Sequence, residues 1–331
     1  MTDTIKLFIW NNNIISELPK LIRKHSPNKI NLFCAEEHEV SPCWNNYEGY
    51  NTVEKFAAKK ELNIVFGSFK NNHTLNRQDI PKNANIYFWD NFWASRTRWS
   101  LNNASSTLIE NFKHTEYSIP FITLNNQPHL HRCKMIDELS QRDMISKGAV
   151  SWHYPNVNYK WKHWKPKRLI LDEKYVEVVD SFVTFPPQMK TSFMSLIAEA
   201  TTKVPFVTEK TWTAIFFKKP FLMINAPGAH SYLNTLGFVN YDEVFDYSFD
   251  NEPNEDLRIN KVIDNVQSIL TQDLAKLYNL LLPKIMHNYN RAIEISKNVN
   301  MMPPICKEHY NDLLLDLPNQ HAYNWLEMFN E

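Results

Sequence analysis

Two strongly apolar runs flank a charged loop and helix in the second half of this chain. Residues 192–198 read SerPheMetSerLeuIleAla and are followed by Glu199, and residues 221–224 read PheLeuMetIle. Both runs are typical of short buried strands, whereas the segment between them begins as a polar loop and continues after Thr208 with the spacing of an amphipathic helix. Strand, loop, helix and strand in this order predict a parallel α/β sheet, whose ligands bind beyond the carboxyl ends of the strands.

The start of this predicted helix carries Thr208, Glu209 and Lys210. Thr208 is a favourable N-cap, and Glu209 suits the positive end of the helix dipole, so neither residue requires a ligand. Lys210 is a cation in the first turn, where the dipole disfavours it unless an anion stands in front of the helix. A diphosphate would supply that anion.

The rest of the chain also alternates between strand-like and helix-like segments. The first part predicts strands at 5–10, 29–34, 63–67 and 85–89, with helices ending near His25 and over 52–61. The later part predicts a strand near Tyr117 and helices over 134–145, 258–270 and 273–285. We therefore predict an α/β protein with an N-terminal domain over 1–115, a second domain over 116–300, and a helical tail over 301–331 that packs back on the first domain.

Composition narrows the classes of function. Only five glycines are present, without a GxGxxG or P-loop pattern, so phosphates must be met by side chains and helix ends. The net charge of zero gives no overall field that would recruit nucleic acid or a membrane. The four cysteines form no CxxC pair, which argues against a zinc site and for a reducing compartment. Without an apolar run of membrane-spanning length or a signal peptide, we expect a soluble protein of the cytoplasm.

A family resemblance rests on the segments around the charged helix. PheValThrGluLysThrTrp at 206–212, with Glu199 before it and PheLeuMetIleAsnAlaProGly at 221–228 after it, resembles the donor-binding region of fucosyltransferase-like GT-B glycosyltransferases, including phage members. PheIleThrLeuAsnAsnGlnProHisLeuHisArg at 121–132 is similar to the strand and turn that open the same domain. The resemblance covers roughly 117–250.

This resemblance implies a fold and an activity. The fold would be GT-B, in which two Rossmann-like domains face an interdomain cleft, the first binding the acceptor and the second the donor. The activity would be an inverting, metal-independent glycosyl transfer that uses a UDP-sugar or GDP-sugar as co-substrate and no cofactor. A phage-encoded enzyme would act in the host cytoplasm. The sequence lacks the Asp-x-Asp signature of metal-dependent glycosyltransferases, and residues 250–256 read as a plain acidic loop.

The resemblance also implies roles for individual residues. Glu209 would bind the ribose hydroxyls of the nucleotide and Lys210 its phosphates. Arg132 with His131 would neutralise the leaving diphosphate, and Glu199 would hold the sugar or the Lys210 ammonium. The remaining expected donor-binding residues are Asn125, Asn126, Thr208, Asn225 and Gly228. The family's Ser-Asn turn reads Asn125-Asn126 here, so either amide could face the donor.

Inverting transfer requires a base that takes the proton of the acceptor hydroxyl. Asp90 follows an apolar strand and lies among Trp89, Phe92 and Trp93, an environment that raises a carboxylate pKa and makes a better base. The alternative is that Asp90 caps the next turn. Glu36, in the ionisable cluster that ends the second strand, is the other candidate, although such clusters are usually solvated loops.

A basic, aromatic segment at 158–168 carries five cations and two tryptophans without an acid. Alternating cations and aromatics suit phosphate neutralisation with base stacking, and ArgThrArgTrp at 96–99 repeats this composition. The expected acceptor-binding residues are Trp93, Arg96, Arg98, Trp99, Lys160, Trp161, Lys162, Trp164 and Lys165. One hypothesis is that the acceptor is a hydroxymethylated base in phage DNA, extruded into the aromatic cluster around Trp89. The alternatives are a glycan or protein acceptor, or a structural loop with buried tryptophans.

Three classes of function therefore remain open from the sequence. The first is a glycosyltransferase, and the second is a non-catalytic sugar-binding or nucleic-acid-binding protein of the same fold. The third is a nucleotide-binding enzyme of other chemistry, such as a kinase or dehydrogenase, against which the missing glycine fingerprints argue. Hydrolysis of a nucleotide sugar in the absence of acceptor would separate the first class from the second.

Overall fold

The protein is described by a computed structural model, which covers residues 4–9, 18–34, 47–68, 70, 75, 77–78, 80–104, 116–153, 158–171 and 185–309. The chain divides into two compact units. The first contains the described residues up to Ser95 and those from Lys297 onward, and the second runs from Arg96 to Ser296. This division lies upstream of the boundary predicted between residues 115 and 116. None of the described helices is long and apolar enough to cross a membrane.

The first unit contains a four-stranded sheet whose strands are all parallel and lie in chain order. Its strands are β1 Thr4–Ile9, β2 Lys29–Cys34, β3 Glu61–Phe66 and β4 Asn85–Phe88, and its helices include α1 Leu18–His25 and α2 Tyr47–Ala57. The four strands expected from the sequence are present. The helix expected over 52–61 ends earlier, because Glu61 already begins β3.

Apolar side chains from the sheet and both helices form the core of the first unit. Ile30, Leu32 and Ile64 of the central strands are buried together with Leu18 of α1 and Val53 of α2. β3 is buried at every position after Glu61, as expected for a strand covered on both faces.

An amide ladder crosses the same sheet. Asn31, Asn63 and Asn85 are register partners on β2, β3 and β4. The Asn85 amide donates to Asn63 Oδ1 at 3.0 Å, and the Asn63 amide donates to Asn31 Oδ1 at 2.8 Å. Asn63 is completely buried, so these bonds satisfy polar groups that water does not reach.

The second unit contains a parallel sheet in the order β6-β5-β7-β8. Its strands are β5 Ile119–Thr123, β6 Ala149–Val150, β7 Ser192–Ala198 and β8 Phe221–Ile224. Its helices are α4 Leu130–Gln141, α5 Gln188–Thr191, α6 Glu209–Phe216, α7 Ala229–Thr235, α8 Glu255–Ser268 and α9 Leu274–Ser296, and α3 Phe92–Ala104 precedes them. Short 3-10 segments lie at Tyr247–Asn251, Val299–Met301 and Pro304–His309. The prediction of a mixed α/β protein with parallel sheets is confirmed, whereas the GT-B arrangement stays a prediction.

The bounds of α4, α8 and α9 also differ from the sequence-based ones; α8 was expected over 258–270 and covers Glu255–Ser268. α4 begins at Leu130 and ends at Gln141 instead of covering 134–145, and the backbone turns away at Asp143, whose φ is +54°. α9 was expected over 273–285 and instead covers Leu274–Ser296, with Pro283 inside the helix.

The tail was expected to cover residues 301–331. The described residues from Lys297 belong to the first unit, in which the Asn91 amide donates to the Asn298 carbonyl at 3.1 Å. Residues 310–331 lie outside the described part of the chain, so the packing of the tail stays a prediction.

Candidate functional site

The candidate site lies where the strands of the second unit end. Because these strands are parallel, the segments that follow β5, β7 and β8 meet at the same edge of the sheet. The loop after β7 leads into α6, so the N-terminus of this helix belongs to that edge.

Glu199 directly follows β7 and is completely buried. Its Oε1 accepts the Thr208 backbone N–H at 3.1 Å and the Thr211 hydroxyl at 2.6 Å, and its Oε2 accepts the Thr208 hydroxyl at 2.5 Å. Burial raises the pKa of Glu199, an effect that the nearby Lys210 ammonium opposes. The carboxylate therefore caps the N-terminus of α6 from the end of the preceding strand.

Thr208 occupies the N-cap position of α6, as expected, but its hydroxyl makes no bond to the helix backbone. The hydroxyl donates to Glu199 and accepts a hydrogen bond from the Lys210 ammonium at 3.1 Å. The side-chain cap predicted for Thr208 is therefore not formed, and Glu199 instead binds the Thr208 backbone N–H and the hydroxyls of Thr208 and Thr211.

Glu209 and Lys210 form a contact pair in the first turn of α6. The Lys210 ammonium lies 2.7 Å from Glu209 Oε1. The Lys210 side chain is 27% exposed and the Glu209 side chain 15%, so both remain within reach of a ligand, unlike Glu199. The sequence suggested that Lys210 requires a bound anion in front of the helix, and the Glu209 carboxylate supplies part of that negative charge.

His131 and Arg132 lie in the first turn of α4, and both are buried. His131 Nε2 donates to the Glu199 carbonyl at 2.7 Å, and Arg132 donates to the carbonyls of Gln127, Ala198 and Glu199 at 3.1–3.2 Å. Burial lowers the pKa of His131 to about 4, so the imidazole is neutral at pH 7. In this arrangement the two side chains hold the end of β7, and any contribution of His131 to binding a diphosphate would have to be a hydrogen bond rather than a charge.

Asn125 and Asn126 differ sharply in their surroundings. Asn125 is buried, and its Nδ2 donates to Thr123 Oγ1 at 3.1 Å and to the Ser151 carbonyl at 3.3 Å. Asn126 is exposed. Of the two amides expected near the donor, Asn126 is the one that solvent reaches, whereas Asn125 joins the ends of β5 and β6.

Asn225 and Gly228 follow β8. Asn225 is buried and exchanges side-chain hydrogen bonds with the backbone of Phe206, which fixes the loop before α6. Gly228 has a φ of +82° at the start of α7, and its N–H donates to the Asp250 carbonyl at 2.7 Å. Both residues therefore shape the edge of the sheet.

The acidic segment 250–256 is more than a plain loop, which corrects the sequence-based interpretation. Asp250 is buried and accepts the N–H groups of His230 and Ser231, so its carboxylate caps α7. Glu255 binds the Lys134 ammonium at 2.8 Å and also accepts a hydrogen bond from Thr202 of the loop after β7. The sequence feature that could have indicated this is Glu255 at the start of α8, since the helix dipole favours an acid in the first turn.

The basic segment 158–168 is anchored by one carboxylate. Asp137 of α4 accepts the consecutive backbone N–H groups of Lys162, His163 and Trp164 at 2.8–3.3 Å. The five cations of the segment, Lys160, Lys162, Lys165, Lys167 and Arg168, are exposed. Asp137 was not expected to matter, because nothing in a helical sequence marks which carboxylate binds a distant loop.

The tryptophans of this segment point into the protein. Trp161 and Trp164 pack against Trp152 with ring centroids 5.7 and 5.9 Å away, and Trp164 is 9% exposed. The expectation that Trp164 stacks on a nucleic-acid base is wrong for this structure, because its ring is buried. Trp161 keeps partial exposure and an edge contact with Tyr159 at 4.7 Å.

The aromatic cluster near Asp90 is also part of a core. Trp89 and Phe92 are completely buried and pack against Phe33 at 5.7 and 4.9 Å, and Trp93 is buried beside Phe92. Because these rings are buried against one another, none offers a face to an extruded base, and the expectation that Trp93 and its neighbours receive one is wrong.

The basic residues of α3 are less accessible than expected. Arg96 is completely buried, with its guanidinium 5.1 Å from the centroid of the Trp99 ring. A buried guanidinium does not reach a nucleic-acid backbone, which corrects its assignment. Arg98 and Trp99 are half-buried.

Of the two candidate bases, Asp90 is half-buried in the turn before α3. The carbonyl of Asn91 accepts the first helical N–H, from Ser95, so Asn91 occupies the N-cap position instead of Asp90. Glu36 lies outside the described residues, and both assignments stay predictions.

In the part of the chain that the structure describes, no group of three or more His, Cys, Asp or Glu side chains could hold a metal ion.

Sequence and structure comparisons add no relatives. No family model, curated protein or solved structure matches this chain. The resemblance to GT-B glycosyltransferases therefore rests on the residues quoted above.

Proposed function

We propose that the protein is a nucleotide-sugar-dependent inverting glycosyltransferase whose donor binds at the N-terminus of α6. The observation that carries the proposal is the adjacent pair Glu209 and Lys210, which stays partly exposed while the buried Glu199 fixes the helix behind it. A carboxylate accepts hydrogen bonds from ribose hydroxyls, and an ammonium beside it attracts a diphosphate. A nucleoside diphosphate sugar carries both groups close together.

In the proposed reaction the acceptor hydroxyl oxygen attacks C1 of the sugar from the face opposite the diphosphate. The new C1–O bond forms as the bond from C1 to the diphosphate breaks, and a base takes the hydroxyl proton. Asp90 and Glu36 stay the sequence-based candidates for that base. Lys210 would stabilise the negative charge that develops on the departing diphosphate, an effect that is largest in a partly desolvated site.

Substitution of the pair tests the donor site. We expect Lys210→Ala to lower donor hydrolysis by about a hundredfold, the typical loss when one group that stabilises developing charge is removed. Glu209→Ala should mainly weaken donor binding. Lys203→Ala is the matched control, because Lys203 is an exposed lysine of the loop that precedes α6. Near-normal hydrolysis by Lys210→Ala would refute the donor assignment.

A screen of nucleotide sugars identifies the donor. UDP-sugars and GDP-sugars are titrated while the melting temperature is followed, because a specific ligand stabilises the folded state by mass action. Stabilisation without release of nucleoside diphosphate would instead favour a non-catalytic binding protein. If neither effect occurs with any donor, the proposal fails.

We further propose DNA as the acceptor, on the basis of the exposed cations of segment 158–168. Only electrostatic contact between these cations and DNA phosphates now supports DNA as the acceptor. Base stacking on Trp93 or Trp164 no longer does, because both rings are buried. Gel retardation of DNA should be lost when Lys160, Lys162, Lys165 and Lys167 are changed to Glu. Unchanged retardation would exclude this segment as the contact and favour a glycan or protein acceptor.

A further inference from the structure

A cavity of about 530 Å³ lies beside segment 158–168, within the second unit. It is formed by one face of α4, the first two turns of α8 and residues 158–163, and it is separate from the Glu209–Lys210 pair. Its lining residues are Lys134, Asp137, Glu138, Gln141, Asn158, Tyr159, Lys160, Lys162, His163, Asp256, Ile259 and Asn260. This volume is large enough for a mononucleotide, since small-molecule sites typically measure about 300–1,000 Å³.

The three acids of the cavity are already engaged by the protein. Asp137 accepts three backbone N–H groups of the segment, as described above. Glu138 lies 2.6 Å from Arg142 Nε, and Asp256 lies 2.7 Å from the Lys134 ammonium. Lys134 also binds Glu255 and Arg142 also binds Asp264, so each of these two cations is shared between two acids.

Two cations at the mouth of the cavity are not engaged in this way. Lys160 and Lys162 are exposed, and within the described ranges their ammonium groups make no hydrogen bond or ion pair. The Lys162 backbone N–H is bound to Asp137, so the main chain that carries this ammonium is fixed before any ligand arrives. The ammonium groups of Lys160 and Lys162 are therefore left to bind an acceptor such as a phosphate, in a lining whose three lysines and three acids carry no net charge.

The neutral groups of the lining suit a planar, polar ring. The Tyr159 phenol is neutral at pH 7 as in any tyrosine, burial raises its pKa further to about 12, and its ring is in edge contact with Trp161. Gln141 and Asn260 face the same cavity from α4 and α8, and their amides have no hydrogen-bond partner among the residues described. An amide both donates and accepts, as the edge of a nucleic-acid base does.

We infer that this cavity binds a nucleoside monophosphate unit, with its phosphate at Lys160 and Lys162 and its base between Tyr159 and the two amides. The unit is either a free nucleotide or one residue of a single strand. The site does not depend on the proposed transferase activity. Because Asp137 holds the segment in place, little ordering accompanies binding.

Calorimetric titration with thymidine 5′-monophosphate tests the inference. We expect Lys160→Gln and Lys162→Gln each to weaken binding about tenfold, the usual effect of losing one charge-assisted contact. Lys165→Gln and Lys167→Gln are the matched controls, since they remove the same charge from the same segment outside the cavity lining. Their affinity should stay within about twofold of the unmodified protein, because distant exposed charges are screened. Equal weakening by all four substitutions, or no binding, would overturn the inference.

Further ligands and one variant locate the site. Thymidine without phosphate and glucose 1-phosphate should both bind at least about tenfold more weakly than the nucleotide. If either binds equally well, the inference is wrong. Binding that survives Lys210→Ala supports the cavity, whereas its loss in that variant would place the nucleotide at α6 and leave only the donor proposal standing. Competition with single-stranded oligo(dT) then tells the two sources apart: stronger binding of the strand indicates nucleic acid, and stronger binding of the mononucleotide indicates a free nucleotide.

Discussion

Removal of the Glu199 carboxylate tests the description of the candidate site most directly. The carboxylate accepts three hydrogen bonds, all from the first residues of α6 and its cap. Glu199→Ala would leave these donors unpaired in a buried place, at roughly 1–3 kcal/mol each, offset in part by the removal of a buried charge. We therefore expect a net loss of about 3 kcal/mol in the free energy of unfolding of the second unit.

Glu199→Gln separates shape from charge. Glutamine keeps one acceptor oxygen for the Thr208 N–H and the Thr211 hydroxyl, and its amide could donate to the Thr208 hydroxyl. The expected loss in the free energy of unfolding is smaller, about 1 kcal/mol, because only the charge-assisted strength of the bonds is removed.

Urea and thermal unfolding followed by circular dichroism measure both variants. A loss of about 3 kcal/mol should lower the melting temperature of a unit of this size by roughly 6–12 °C. Glu209→Gln is the control, because Glu209 is the neighbouring acid in the same helical turn and its ion pair is partly exposed, so a change of at most about 1 kcal/mol is expected. If Glu199→Ala destabilises the protein no more than Glu209→Gln does, Glu199 is not the cap of α6.

The remaining predictions concern acid sensitivity and two glycines. His131 and His230 both have a folded pKa of about 4, below the ordinary 6.5, so the unfolded chain binds more protons as the pH falls. Their contribution, about 3 kcal/mol each, is present above pH 6.5 and lost between 6.5 and 4, and urea midpoints that stay constant from pH 7 to 4.5 would contradict it. Gly148→Ala would place a Cβ 2.3 Å from the buried Phe121 ring, and we expect a loss of about 1–3 kcal/mol in stability. A Cβ on Gly228 meets nothing within 4 Å, so only the φ of +82° opposes Gly228→Ala, at a cost of about 1 kcal/mol in stability. Thermal melts in which Gly228→Ala is less stable than Gly148→Ala would contradict this comparison.

The sequence was sufficient for seven of the eight described strands, whereas β6 and the helices α3, α5 and α7 were not predicted. Runs such as 192–198 are apolar at nearly every position, and strands covered on both faces require this pattern, so strand positions could be predicted. Helix ends were less accurate: after α4 the chain takes a positive φ at Asp143, where the sequence has no glycine to mark a helix end.

The site could be predicted only in part. Glu199, Glu209 and Lys210 do come together, since the strand-loop-helix order places them at one edge. Trp93 and Arg96 were expected at a surface and are buried, because chain order does not reveal which face of a helix meets the core. Contacts between segments far apart in the chain, such as those of Asp137, leave no local pattern to read.

The amide ladder of the first unit has a consequence for how its sheet assembles. Because side chains alternate between the two faces of a strand, sliding β2 or β4 by one residue would turn Asn31 or Asn85 to the opposite face. Asn63 would then be left in the interior without that neighbour, which is unfavourable for a group sealed from water. Three ordinary asparagines thus select one alignment among strands whose apolar side chains alone would tolerate several.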